Sequence, residues 1–175
     1  MNRIHYLCFA LLLITIVGCT KNQPATEILV DGRLKLGVSE ERFRSIIGEL
    51  GFTEDASDSK DREVVFVREG EDPWTSPLIR VGLSSDGRVE KLSGRMQQIQ
   101  INDSLIVAGE SSKESIKSKL GKPSWESKMK SPVFEDAYGL CYESIGVYFL
   151  LTKNKVVGFS LGHTPSKPST IYVEP

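Results

Sequence analysis

The chain has 175 residues, a formal net charge of −1, 39% hydrophobic and 26% charged residues. This is the composition of an ordinary globular protein, long enough for one domain or two small ones. The near-neutral balance and scattered Lys and Arg exclude the basic footprint of a general nucleic-acid binder and a polybasic membrane patch.

The chain opens on a leader. Residues 1–5 carry Arg3, residues 6–17 are apolar except for Thr15, and the small Gly18 precedes Cys19. Charged start, apolar run and small residue before a cut is the pattern of a signal peptide over 1–18. The apolar stretch, about fifteen residues with His5 inside it, falls short of the roughly twenty that span a bilayer. It also lacks the periodicity of an amphipathic core helix. Ile16 Val17 Gly18 Cys19 resembles the lipobox of bacterial lipoproteins. The resemblance implies diacylglyceryl attachment at the Cys19 thiol, cleavage before it, and usually N-acylation. Two or more chains anchor stably where one does not. Thr20, in place of Asp, implies sorting to the outer membrane, facing the periplasm. Residues 19–26 are polar, contain Pro24, and read as a flexible tether. With Cys8 in the leader and Cys19 acylated, Cys141 has no intramolecular partner. Its apolar, strand-like setting reads as a buried structural thiol, a reactive or intermolecular thiol being the alternative.

Beyond the tether, a pattern recurs at an offset of about 70 residues. Ile28 to Leu36 around Asp31 Gly32, and Ile99 to Val107 around Asn102 Asp103, each read as strand, tight turn and strand. A helix follows in both copies. In the first, Ser39 caps, Glu40 and Glu41 occupy the positive first turn, Phe43, Ile46, Ile47 and Leu50 form one face, and Gly51 ends it. In the second, Ser111 Ser112 Lys113 Glu114 reads as a capping box, Ile116 and Leu120 face inward, and Gly121 and Pro123 terminate. Strands then close each copy: 64–67, 78–83 and 89–92 in the first, 139–142, 147–151 and 156–161 in the second. The predicted architecture is α+β, two tandem repeats at 27–97 and 98–162, each a hairpin, a helix and an antiparallel β-meander. A Pro-rich tail follows at 163–175, in which 171–173 is either an edge strand or disordered.

The run Gly109, Ser111, Ile116, Leu120, Gly121, Pro123, followed by an aromatic strand and a Gly-Val-Tyr-Phe hairpin, resembles the SmpA/OmlA (BamE) small lipoproteins. Two such units resemble the tandem-repeat β-lactamase inhibitor proteins, whose helices pack on one side of an antiparallel sheet. The opening hairpin departs from the former and the missing disulfides from the latter. Both resemblances imply a non-enzymatic protein that works by contact with another protein.

Little in the chain points to chemistry. His163 lies at the Pro-rich exit and lacks the companions of a triad or a metal site. The acidic run Glu69 Gly70 Glu71 Asp72 lacks EF-hand spacing and reads as a solvated loop. A glycosidase-like carboxylate pair stays open as a minor reading, because its members need not be neighbours in sequence. Trp74, between Pro73 and Pro77, reads either as an exposed partner-binding anchor or as a side chain folded back onto the sheet. Trp125, after Pro123, is expected beneath the end of the second helix. No cofactor or metal is expected. The function expected is a lipid-anchored, non-catalytic protein-binding module of the cell envelope, with a role such as outer-membrane assembly. The alternative is a periplasmic inhibitor or immunity protein that neutralises an enzyme or toxin.

Overall fold

The computed structural model describes residues 27–56, 62–68, 78–95, 97–129 and 134–166. Cys19, the tether, the acidic run with Trp74, and residues 171–173 lie outside them. Strand β1 (Ile28–Val30) ends in a turn at Asp31 and Gly32, both at positive φ. Ser39, in an extended conformation, caps α1 (Glu40–Glu49) by accepting from the Arg42 N–H at 3.3 Å. Glu40 and Glu41 complement the dipole there. A meander follows: β2 (Phe52–Glu54), β3 (Glu63–Arg68), β4 (Leu78–Leu83) and β5 (Val89–Gly94). The hairpin β6 (Gln98–Ile101) and β7 (Ser104–Val107) leads to α2 (Lys113–Leu120). The chain closes with β8 (Trp125–Lys128), β9 (Tyr138–Tyr142), β10 (Val147–Thr152) and β11 (Lys155–Leu161).

The α2 cap falls one residue later than the capping box predicts. Ser112 Oγ accepts from the Ser115 N–H at 3.2 Å. Ser111, 8% exposed, instead accepts from the Val107 N–H at 2.9 Å and closes the turn after β7.

All strand pairing is antiparallel, in an eight-stranded sheet ordered β2-β3-β4-β5-β11-β10-β9-β8 and a three-stranded sheet ordered β1-β6-β7. With two α-helices among the described residues, the fold is α+β. The two meanders meet at the β5–β11 seam, where Leu92 pairs with Leu161 and Gly94 with Phe159. Strand alternation puts one row, Val64, Val81, Leu92, Leu161, Val147 and Tyr142, on a single face. That row shares a continuous core with Phe43, Ile46 and Ile47 of α1 and Ile116 of α2. Burial of each large apolar side chain contributes about 1.5–3 kcal/mol, and the rings of Phe43 and Phe66 meet at 5.7 Å.

The opening hairpin expected at 28–36 does not form. Val30 and Leu34 exchange hydrogen bonds of 2.7 and 2.9 Å, which close a single bridge. The chain is then drawn away: the Gly37 N–H donates to the Val89 carbonyl at 2.7 Å, and the Val89 N–H to the Val38 carbonyl at 2.9 Å. Strand β1 pairs instead with β6, Ile28 opposite Ile101 and Val30 opposite Ile99. Both ends of this pairing are clamped by side chains. Asp31 Oδ1 accepts from the Gln98 N–H, and Asn102 Oδ1 from the Glu27 N–H, each at 3.0 Å. Burial pushes the Asp31 carboxyl above its usual range, against the Gln98 N–H and the charge of Arg68.

Candidate functional site

The helices cover one face of the large sheet, and the alternate residues form the other. Across it runs the row Val65, Arg80, Ser93, Ser160, Tyr148, Cys141 and Trp125. At its β8–β10 end Trp125, Cys141 and Tyr148 form a second apolar cluster, joined by Met129 and Leu150. Trp125 therefore packs on the helix-free face, not beneath the end of α2. The reason is register: Trp125 opens β8 directly opposite Cys141. Its ring lies 5.8 Å from that of Tyr148. Among the described residues its buried Nε1–H has no hydrogen-bond partner. The Tyr148 hydroxyl donates to Met129 Sδ at 2.7 Å. Its pKa is pushed up to about 12, by burial first and the neighbouring Cys141 second. Cys141 is a buried free thiol. Burial first, then Glu143, raises its pKa, the setting of an inert thiol rather than a nucleophile.

Beside this cluster, over the β5–β11 seam, lies an open groove of about 500 Å³. Leu78, Phe134, Tyr148, Leu150 and Val157 give it apolar walls, and Arg80 and Arg95 line it as well. Two local irregularities shape it. A bulge interrupts the β10–β11 ladder: Leu150 opposes Gly158 while Leu151 opposes Val156, so Val157 is the extra residue. Gly158 and Gly94, both in the lining, bring the backbones of β11 and β5 together, and a Cβ on Gly158 would stand 3.0 Å from the Gly94 carbonyl oxygen.

A smaller polar notch of about 410 Å³ opens beside α1. There Arg44 bridges two carboxylates, Glu40 at 2.8 Å and Glu54 at 2.5 Å. The Glu54 contact is the first cause of the upward shift of the Arg44 pKa. The two acids thus serve as partners of one guanidinium. His163 is exposed, and its carbonyl accepts from Ser160 Oγ at 2.9 Å. Among the described residues, no three His, Cys, Asp or Glu side chains group to hold a metal ion, and no helix is long and apolar enough to cross a membrane. Cys19 and Trp74, the residues that the sequence singles out, lie outside the described residues. The groove was not foreseen, because Arg80, Leu150 and Val157 meet only through the pairing of the two meanders.

No family model and no curated protein matches the chain. Among solved structures it is similar to a DUF4309 family protein (YjgB) from Bacillus subtilis, with 12% identity and a TM-score of 0.43 over 75% of this chain and 82% of that one.

Proposed function

We propose that the chain is a lipid-anchored envelope protein acting as a non-catalytic protein-binding module. In this reading acylated Cys19 holds it at the outer membrane, facing the periplasm, in a role such as outer-membrane assembly. The observation that carries the reading is the helix-free face, where an apolar cluster and a groove with two arginines adjoin one another. Concave apolar surface with a few fixed polar groups is what binding sites are built from. The lipobox supplies the address and the sheet face the contact.

The same reading takes the two halves as tandem repeats of about 70 residues, each too small for a strong core of its own. It is supported by matching contacts. The bond from Gly37 to Val89 has a counterpart from Gly109 to Val156, and that from Val89 to Val38 a counterpart from Val156 to Ser111. Ser39 and Ser112 cap the two helices, and each also bridges a residue just past a turn, Arg88 and Lys155.

The test is affinity capture of the full-length protein from membranes after crosslinking, alongside Cys19→Ser. The reading expects palmitate incorporation and membrane fractionation that Cys19→Ser abolishes, with resident envelope proteins in the captured set. One tight periplasmic enzyme or toxin as sole partner would replace the assembly role with the inhibitor role. A Cys19→Ser protein that stays acylated and membrane-bound would overturn the anchor.

A further inference from the structure

The chain leaves β11 across the helix-free face and heads for one edge of the large sheet. The Gly162 N–H donates to the Gly146 carbonyl at 3.1 Å, and the His163 carbonyl accepts from Ser160 Oγ at 2.9 Å. The Thr164 hydroxyl then stands beside the Cys141 thiol. By Thr164 the chain has therefore passed over β10 and reached β9. Thr164 and Pro165 are half-buried there. In the direction of travel one strand, β8, lies beyond.

Among the described residues β8 has β9 as its sole neighbour. The Met129 N–H donates to the Ala137 carbonyl at 2.8 Å. Backbone groups alternate sides along a strand, so those of Ser127 also face β9 and those of Glu126 and Lys128 point outward. Ser127 Oγ donates to the Lys128 carbonyl at 3.0 Å, and no described strand meets this outer side. An edge of this kind is a template for another strand.

Beyond Ser166 the sequence runs Lys167 Pro168 Ser169 Thr170 Ile171 Tyr172 Val173 Glu174 Pro175. Thr, Ile, Tyr and Val are the residues that pleated strands favour. Pro168 and Pro175, which lack the N–H that a ladder uses, bound the run. Residues 170–173 match the 4 residues of β8 in length. The reach also fits. The outer side of β8 lies two strand spacings from β9, about 10 Å, and residues 165–168 span up to about 13 Å when extended. The opposite edge, β2, is six strands from β9, about 29 Å in the reverse direction.

We propose that the outer edge of β8 is a strand-addition site whose occupant is this chain's own segment 170–173, paired with the backbone of Glu126 and Lys128. The added strand closes the edge to pairing with a second copy. The groove over the β5–β11 seam stays open to a partner. The assignment goes beyond the protein-binding reading and depends neither on a protein partner nor on acylation of Cys19.

The test uses the full-length chain in detergent micelles. A benzophenone amino acid replaces Tyr172, and mass spectrometry locates its adduct after irradiation. Separately, NMR reads amide exchange at Glu126 and Lys128 in the parent and in the pair Ile171→Pro with Tyr172→Pro. Two adjacent prolines are needed because the N–H of one of the two positions must face β8. An adduct to β8 within one chain is expected. Exchange at Glu126 and Lys128 should become at least about tenfold faster in the proline pair, with the β10 amides unchanged. Adducts at Leu150 or Val157, adducts that join two copies, or exchange that the prolines leave unchanged would overturn the proposal. Should the proline pair not fold, the adduct decides alone.

Discussion

Gly94 approaches Leu78 so closely that a Cβ on it would stand 1.8 Å from the Leu78 carbonyl oxygen, and its φ is +145°. The contact joins β4 to β5 at the edge of the groove and beside the β5–β11 seam. Gly94→Ala is therefore expected to destabilise the fold by about 3 kcal/mol or more. Gly48 in α1 has open space around it, so Gly48→Ala should be stabilising by up to about 1 kcal/mol. Urea unfolding of both variants checks the contrast. A Gly94→Ala protein as stable as the parent would contradict the close approach.

Two buried phenols set an upper pH limit. Tyr142 and Tyr148 are each held protonated up to about 12, chiefly by burial, against about 10 for a free tyrosine. Because the folded value is the higher, the native state keeps protons that the unfolded chain has lost. Their contribution is full below about pH 10 and is lost as the pH rises from about 10 to about 12. An ultraviolet titration of the folded protein should show a late class of phenolates that Tyr148→Phe diminishes. Ionisation of every tyrosine near pH 10 while the fold persists would contradict this.

The adjacent serines before α2 have separable roles. Ser112→Ala removes the helix cap and should cost about 1 kcal/mol. Ser111→Ala leaves the Val107 N–H without its acceptor and should cost about 1–3 kcal/mol. Thermal unfolding of each, and of Ser39→Ala as a second cap, is the measurement. If Ser111→Ala were neutral and Ser112→Ala costly, the Ser111 bond would carry no weight.

Trp125 places a buried Nε1–H where the described residues give it no acceptor. Trp125→Phe removes that donor while leaving a ring against Tyr148. Its stability should stay within about 1 kcal/mol of the parent, whereas Trp125→Ala should lose about 3–5 kcal/mol. A loss from Phe as large as that from Ala would mean that the indole nitrogen has a partner.

The helices were legible in the sequence because their signals are local. Ser39 with two following acids, the spacing of Phe43, Ile46 and Ile47, and Gly121 past Leu120 act within a few turns of the chain. Which of Ser111 and Ser112 caps α2 is not legible locally, because the two serines adjoin and only the turn after β7 decides between them. The partner of β1 was not legible: Val30 can face Leu34 or Ile99 with similar apolar contact, and the pull of Val89 on Gly37 and Val38 comes from a distant strand. The face that Trp125 takes was not legible for the same reason, since it depends on the β8–β9 register. The groove lay furthest from view, resting on a bulge at Val157 and on side chains brought together by the β5–β11 seam. The resemblance of Ile16 Val17 Gly18 Cys19 to a lipobox, by contrast, is read from the sequence alone, as Cys19 lies outside the described residues.

The central claim, that a membrane-held protein makes its contacts through the helix-free face, is tested most directly by photo-crosslinking in intact envelopes. One crosslinker replaces Leu150 on the groove wall and another replaces Arg42 on the exposed side of α1. The account predicts a discrete protein adduct from position 150, none from position 42, and loss of the adduct when Cys19→Ser is introduced. Equal adducts from the two positions, or an adduct from position 42 alone, would contradict it.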